Sequence, residues 1–173
     1  MVISSVNKRL LSEYSSFFML FCIVLFFYFR FRFVALLLYL LWYLMFGMVG
    51  LAYFCSTQRI LKLSNFLLKI SIPVTLLPFR KAFYYWTKAV NVILVDSTRV
   101  SEAYDTARKV NPDSLYTDNN KCMYFSFIAA VIYDIGEKEK ALYYLTLAQQ
   151  LPHKTALDEN LKQLYEKISE SNK

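Results

Sequence analysis

The sequence predicts an all-α protein: an N-terminal transmembrane helical hairpin followed by a small antiparallel helical-repeat domain. Three observations predict it. Two apolar runs, Tyr14 to Phe29 and Phe33 to Phe54, are separated only by Arg30-Phe31-Arg32. Beyond Arg80 the chain divides into helical segments punctuated by Pro and Gly, with no strand alternation to compete. The charge also divides: residues 1–95 hold ten Lys or Arg against the single acid Glu13, whereas residues 96–173 hold ten against twelve acids. The organisation expected is a tail and transmembrane hairpin over 1–54, a basic amphipathic interfacial helix and proline elbow over 55–80, and a helical domain with a C-terminal capping helix over 81–173.

At 57% hydrophobic and 18% aromatic residues, a chain of 173 residues is too apolar for an ordinary small soluble domain. It is also too short for several domains beside a membrane region. The net charge of +7 belongs to the half with the apolar runs. Lys and Arg there answer anionic headgroups and set topology, and no motif for nucleic acid accompanies them. Cys22, Cys55 and Cys122 are too few and too scattered for a disulfide framework and read as free thiols of a reducing compartment. Cys55 sits where an interfacial palmitoyl could attach, although a small apolar residue at a helix end is the simpler reading.

Residues 1–13 form a short polar tail. Its Lys8-Arg9 pair resembles the start of a signal peptide, but the run that follows ends in Tyr28-Phe29-Arg30 with no small-residue cleavage site, which predicts a retained anchor. The second run is 22 residues without a charge, enough as one helix for the ~30 Å of a bilayer core. The first is 16 residues and spans only if Lys8, Arg9 and Arg30 snorkel or the bilayer thins. A tilted or re-entrant first segment, or one long bent helix through both runs, stays open. Trp42, Tyr43 and Tyr53 are candidates for interface belts, and Gly47 and Gly50 for close helix packing, although their spacing is not the five-residue dimer motif. A hairpin puts Lys8, Arg9, Arg59, Lys62 and Lys69 on one side and Arg30 and Arg32 on the other, so both termini are expected in the cytoplasm.

From Gln58 to Ile72 the pattern becomes amphipathic. Gln58, Arg59, Lys62, Asn65 and Lys69 lie opposite Ile60, Leu63, Phe66, Leu67 and Ile70. Such a helix lies in the headgroup plane, with Arg59, Lys62 and Lys69 as its membrane-surface residues. The alternative is that its apolar stripe packs under the distal domain. Pro73 and Pro78 then bracket an apolar stretch that reads as a fixed elbow.

Helices are expected near 82–95, 98–110, 120–135, 138–150 and 156–170. Asn111-Pro112-Asp113-Ser114 and Leu151-Pro152 punctuate them, and Gly136 ends the third as a C-cap. The last carries Leu157, Leu161, Leu164, Tyr165 and Ile168 on one face and Asp158, Glu159, Lys162 and Glu166 around the other, a lid with a wet outer surface.

Between Cys122 and His153, Phe125, Ile128, Ala129 and Ile132 precede Ala141, Leu145, Ala148 and Pro152, and the segment Gly136 to Thr146 joins the two sets. In these residues the chain resembles the tetratricopeptide repeat, an antiparallel helix pair of about 34 residues. Phe125 stands for the usual Trp, Tyr133 falls one place late and Pro152 one place early. A degenerate copy precedes it at Tyr104, Ala107 and Pro112, with Val100 where a small residue is usual. The resemblance implies binding rather than catalysis, on a concave face carrying Met123, Ser126, Ala130 and Tyr133. That face is mostly apolar and lacks the Lys or Arg clamp for an acidic peptide terminus, so it suits a hydrophobic helix or extended segment.

Catalytic chemistry finds few candidates. His153 is the sole histidine and reads as a solvated loop residue. No Cys-x-x-Cys, phosphate-cradling glycine loop, metal site or cofactor motif occurs, and acids are absent from both apolar runs. Asp134, Glu137 and Glu139 read as a solvated turn. The sequence therefore predicts a non-enzymatic integral membrane protein, with no cofactor, metal or nucleic acid, that uses its repeat domain as an adaptor or scaffold for a protein partner. The alternative is an accessory or assembly subunit of a transporter, channel or membrane enzyme, held by its transmembrane helices.

Overall fold

The computed structural model describes residues 15–25 and 32–170. The expectations for the tail, Lys8, Arg9, Arg30 and the end of the first apolar run lie outside the described residues. Among those described, every regular element is helical. The helices are α1 (Ser15–Leu25), α2 (Arg32–Phe46), α3 (Val49–Thr57), α4 (Leu61–Ile70), α5 (Pro78–Val95), α6 (Val100–Ala107), α7 (Asp118–Ile135), α8 (Lys138–Gln149) and α9 (Asp158–Glu170). Short 3-10 turns lie at Pro112–Ser114 and Thr155–Leu157. The chain forms two compact units, one up to Tyr84 and one from Tyr85 onward, and α5 contributes residues to each.

In the first unit the second apolar run is not one helix, which corrects the expectation of an unbroken 22-residue span. It breaks at Gly47 and Met48, where Gly47 has φ +56°. No single described helix is long and apolar enough to cross a membrane; α2 and α3 reach that length and composition together but are bent by 52°. The sequence at the break is apolar, and what holds it open comes from far along the chain. The Met48 amide donates to Ser71 Oγ (3.0 Å), Thr75 Oγ1 donates to the Leu44 carbonyl (2.6 Å), and the Leu77 amide donates to the Met45 carbonyl (3.0 Å). Each bond satisfies a backbone group that the interrupted helix leaves unpaired, which apolar surroundings would otherwise make costly. The Tyr43 hydroxyl donates to the Ile70 carbonyl at the same level. Gly47 is required by this geometry: its φ lies in the left-handed region, and a Cβ there would sit 2.9 Å from Leu76 Cδ2.

The amphipathic helix is shorter than its sequence pattern. Gln58 caps α3 and Arg59 follows at φ 59°, in the left-handed place where a helix end usually has Gly, with the Ile60 amide returning to the Cys55 carbonyl (2.8 Å). Most of its apolar stripe does not pack inside the first unit. Ser64, Leu67, Leu68 and Ser71 turn inward, and Ser64 Oγ donates to the Ala52 carbonyl of α3 (2.7 Å). Ile60, Leu63, Phe66 and Ile70 remain exposed beside Lys62 and Lys69. The hydroxyls win the interior because they answer backbone carbonyls there. The elbow is fixed as expected, but Pro78 opens α5, where its missing N–H costs nothing, instead of ending a linker. The Arg80 guanidinium lies 5.9 Å from the ring centroids of both Phe46 and Phe79.

In the second unit the side-chain order is that of a helical core. Asp96 ends α5 by accepting from the Thr98 amide (2.9 Å) and hydroxyl (2.7 Å), and these hydrogen bonds hold its carboxyl below the usual range. Thr117 caps α7 by accepting from the Asn120 amide (3.2 Å). Gly136 ends α7 at φ +98°, with its amide on the Tyr133 carbonyl (2.9 Å) and the Glu137 amide on the Ile132 carbonyl (3.1 Å). That turn folds α8 back along α7. Ala129, Ala141 and Ala148, which carry part of the repeat resemblance, have no exposed surface, and Ile128, Ile132 and Leu145 are buried with them. The Tyr124 hydroxyl donates to the Ala107 carbonyl of α6 (3.1 Å), and burial pushes its pKa up, so the phenol stays a donor.

Candidate functional site

The expected partner face lies on α7. Met123, Ser126, Ala130 and Tyr133 recur at three- and four-residue spacing, so they form one stripe, and all four are half-buried. Two of them are tied locally: Met123 Sδ accepts from Asn119 Nδ2 (3.6 Å), and Ser126 Oγ donates to the Met123 carbonyl (3.0 Å).

The C-terminal segment engages both ends of this stripe. At the start of α7, the Lys154 amide donates to Asn119 Oδ1 (3.1 Å). Near its end, Lys167 Nζ of α9 meets Asp134 Oδ1 (3.3 Å) and lies 5.0 Å from the Tyr133 ring centroid. These two ties make α9 run in the same direction as α7, so α7, α8 and α9 stack up, down and up. Leu161 and Ile168 bury the inner face of α9, whereas Tyr165 stays exposed at 49%. Asp158, Glu159, Lys162 and Glu166 are exposed as expected of a wet outer surface, Tyr165 departs from the inner face expected for it, and Ser126 and Ala130 lie between the two ties.

His153 is not the solvated loop residue expected from its position. Its side chain is 14% exposed and bridges the segment between α8 and α9: Nδ1 lies 2.6 Å from the Leu151 carbonyl and Nε2 lies 2.8 Å from Asp158 Oδ1. A carbonyl and a carboxylate can only accept, so the ring completes both bonds only as the doubly protonated cation. The Leu151 carbonyl first, then Asp158, raises its pKa. A shallow cleft of ~330 Å³ opens beside it, lined by Gln149, His153, Asp158, Leu161, Lys162 and Tyr165. The sequence offered one clue to this bridge, a lone His placed between two helices with an acid five residues ahead.

The acids read as a solvated turn remain on the surface, where Glu137 accepts from Lys140 Nζ (2.9 Å). That hydrogen bond, then Tyr104 beneath it, raises the Lys140 pKa, and the ammonium lies 5.1 Å from the Tyr104 ring centroid. Burial, then the Asp158 charge, pushes the Cys122 thiol up, marking it as a packed, protonated group. Cys55 is buried in the last turn of α3, in keeping with the simpler reading of a small apolar residue at a helix end. Among the described residues no three of His, Cys, Asp and Glu gather where a metal ion could sit.

The residues expected at a membrane surface lie in the first unit. Arg59 is exposed in the α3–α4 turn, and Lys62 and Lys69 are exposed on α4 with Leu63 and Phe66. Between Glu13 and Asp96 the sequence holds no acid, so no carboxylate in that stretch competes for these cations. Compared with family models, curated proteins and solved structures, the chain matches none.

Proposed function

We propose that this protein is a membrane-anchored adaptor or scaffold of the tetratricopeptide-repeat kind, whose helical stack holds a protein partner at the membrane surface and which has no catalysis of its own. The observation that carries this reading is the outward display of large apolar side chains along α1–α4, from Phe17 and Phe21 through Leu36 and Leu40 to Leu63 and Phe66, in a stretch without an acid. Such a surface suits lipid and anionic headgroups better than water. The anchor is integral, the second unit faces the cytoplasm, and a hydrophobic helix or extended segment lies along Ser126 and Ala130.

One observation favours a second reading. Because α9 and Lys154 already engage both ends of the α7 stripe, little of it is left for a soluble partner. In that reading the chain is an accessory or assembly subunit of a membrane complex, held through α1 and α2, and the stack braces the assembly.

Crosslinking the full-length protein in native membranes separates the two. Crosslinks from Lys121, Lys138, Lys140 or Lys154 to one soluble protein are expected of the adaptor. Crosslinks confined to Lys62, Lys69, Lys81 or Lys88 and to integral membrane proteins would sink it in favour of the subunit. Replacement of the hairpin with an unrelated anchor should preserve an adaptor and inactivate a subunit.

A further inference from the structure

We infer that the outward side of α4 and the elbow after it form one binding surface for anionic phospholipid, with Phe66, Ile70 and Val74 in the acyl boundary and Lys62 and Lys69 on the phosphates. This surface rests on the membrane reading above and adds to it the lipid class, the residues that take it and a role for the elbow. The first unit holds α4 against rolling. Ser64 Oγ donates to the Ala52 carbonyl of α3 (2.7 Å), Ser71 Oγ accepts from the Met48 amide (3.0 Å), and Leu67 and Leu68 are buried. The Tyr43 hydroxyl ties the last turn by donating to the Ile70 carbonyl.

With that side fixed, the order around the outward side follows from 3.6 residues per turn: Asn65, Lys69, Lys62, Phe66, Ile70 and Leu63, all exposed. The cations hold one edge and the apolar residues the other. A helix lying in a headgroup layer needs this division, because its ammonium groups reach toward phosphate while its apolar edge sinks toward the acyl chains. A helix folded for water would turn the apolar edge inward instead.

The elbow adds a second apolar feature. Ile72 is 44% exposed and Val74 87%, the highest exposure of any large apolar side chain among the described residues. This tip is tied down: the Thr75 amide donates to the Ile72 carbonyl (3.2 Å), Thr75 Oγ1 to the Leu44 carbonyl (2.6 Å) and the Leu77 amide to the Met45 carbonyl (3.0 Å). Those bonds set the elbow beside the end of α2, whose Leu36, Leu37, Leu40 and Leu41 are also exposed. Between Glu13 and Asp96 the sequence holds no acid, so no carboxylate of that stretch answers Lys62 and Lys69, and phosphate is the anion that comes with an acyl layer. Apolar exposure spread over α1, α2, α4 and the elbow suits a fluid lipid layer better than one protein partner, which covers a single patch.

The test replaces Phe66, Val74, Leu37 or Tyr143, one at a time, by the photo-crosslinking residue p-benzoylphenylalanine. The full-length protein is reconstituted into phosphatidylcholine vesicles with or without a fixed share of phosphatidylglycerol, and mass spectrometry after irradiation reads the fraction joined to phospholipid. Positions 66 and 74 should form lipid adducts, several-fold more, relative to position 37, when phosphatidylglycerol is present, and position 143 in the second unit should form none. Lys62→Gln together with Lys69→Gln should remove most of that increase. Adducts at 37 without any at 66 and 74 overturn the inference and leave the membrane reading in place, whereas no adduct at any position overturns both. Equal adducts in the two vesicles, or an increase that survives the double substitution, overturns the inference, because the surface would then be apolar without a preference for anionic lipid. Crosslinks from 66 and 74 to a second copy of the chain in place of lipid overturn it in favour of self-association.

Discussion

Both units of this chain bury apolar side chains and a few polar ones, but they differ in what they leave outside. In the second, Ile128, Ile132, Leu145 and Ile168 are inside, and among the described residues past Tyr84 the large apolar side chains left exposed are Leu94, Val95, Ile135, Tyr143 and Tyr165. In the first, Phe17, Phe21, Phe33, Leu37, Leu51, Phe54, Leu63 and Phe66 are outside, while Ser16, Ser56, Ser64 and Ser71 are buried. Water enforces the first arrangement, because burial of apolar surface is what stabilises a core there. If the first unit lies in lipid as proposed, that incentive is absent there, and helices associate through small residues and hydrogen bonds. The contrast teaches that the first unit turns a large apolar surface outward, with hydroxyl–carbonyl and hydroxyl–amide bonds added to its packing at the break, whereas the second encloses most of its apolar groups.

The largest expected effect tests the packed unit. Leu145→Ala removes a side chain 1% exposed between α8 and α7 and should destabilise the second unit by ~2–5 kcal/mol. Leu63→Ala in the exposed face of α4 should change the first unit by less than ~0.5 kcal/mol. Hydrogen exchange localised to each unit, in detergent-solubilised full-length protein, measures both. Comparable losses would break the contrast, since they would mean that Leu63 packs in a core of its own.

Next in size is the break itself. Gly47→Ala forces a Cβ into the left-handed region and against Leu76, and should cost ~1–3 kcal/mol, read as faster exchange at Met48 and Leu77. Ser64→Ala follows at ~1 kcal/mol, because it removes the hydroxyl that answers the Ala52 carbonyl. If Ser64→Ala proved neutral while Leu63→Ala did not, the first unit would enclose its apolar groups as the second does.

The same contrast explains what was legible in the sequence. The helices of the second unit could be read because their ends are written locally: Gly136 supplies the left-handed cap and Asn111-Pro112 the turn, whereas the Thr117 cap that starts α7 was not singled out. Ala129, Ala141 and Ala148, singled out by the repeat resemblance, are buried between helices. In the first unit the decisive contacts join residues 23 to 31 positions apart, Met48 to Ser71 and Leu44 to Thr75, and no local period carries them. Gly47 was visible as a rare glycine, but its neighbours read as continuous helix. The inward face of α4 was not legible for a related reason: periodicity separates polar from apolar, and here Ser64 and Ser71 are among the residues that turn inward. The stripe of Met123, Ser126, Ala130 and Tyr133 was readable as a stripe, whereas its closure by Lys154 and Lys167 depends on how α9 docks.

The smallest effect concerns that docking, through His153. Its folded pKa is raised above the unfolded value of ~6.5, so protonation stabilises the fold. This contribution is fully present below about pH 6.5 and is lost as pH rises through the folded pKa. Above that value the neutral ring donates to only one of Leu151 and Asp158, and the segment carrying Lys154 onto Asn119 loses one of its ties. Amide exchange in α9 should therefore quicken as pH rises through this window, after correction for the intrinsic rate, while α8 changes less. His153→Gln should remove the pH step, because its amide donates to one acceptor at a time and does not titrate. A step that survived His153→Gln would place the titrating group elsewhere, and Asp158→Asn would then show whether the carboxylate takes part.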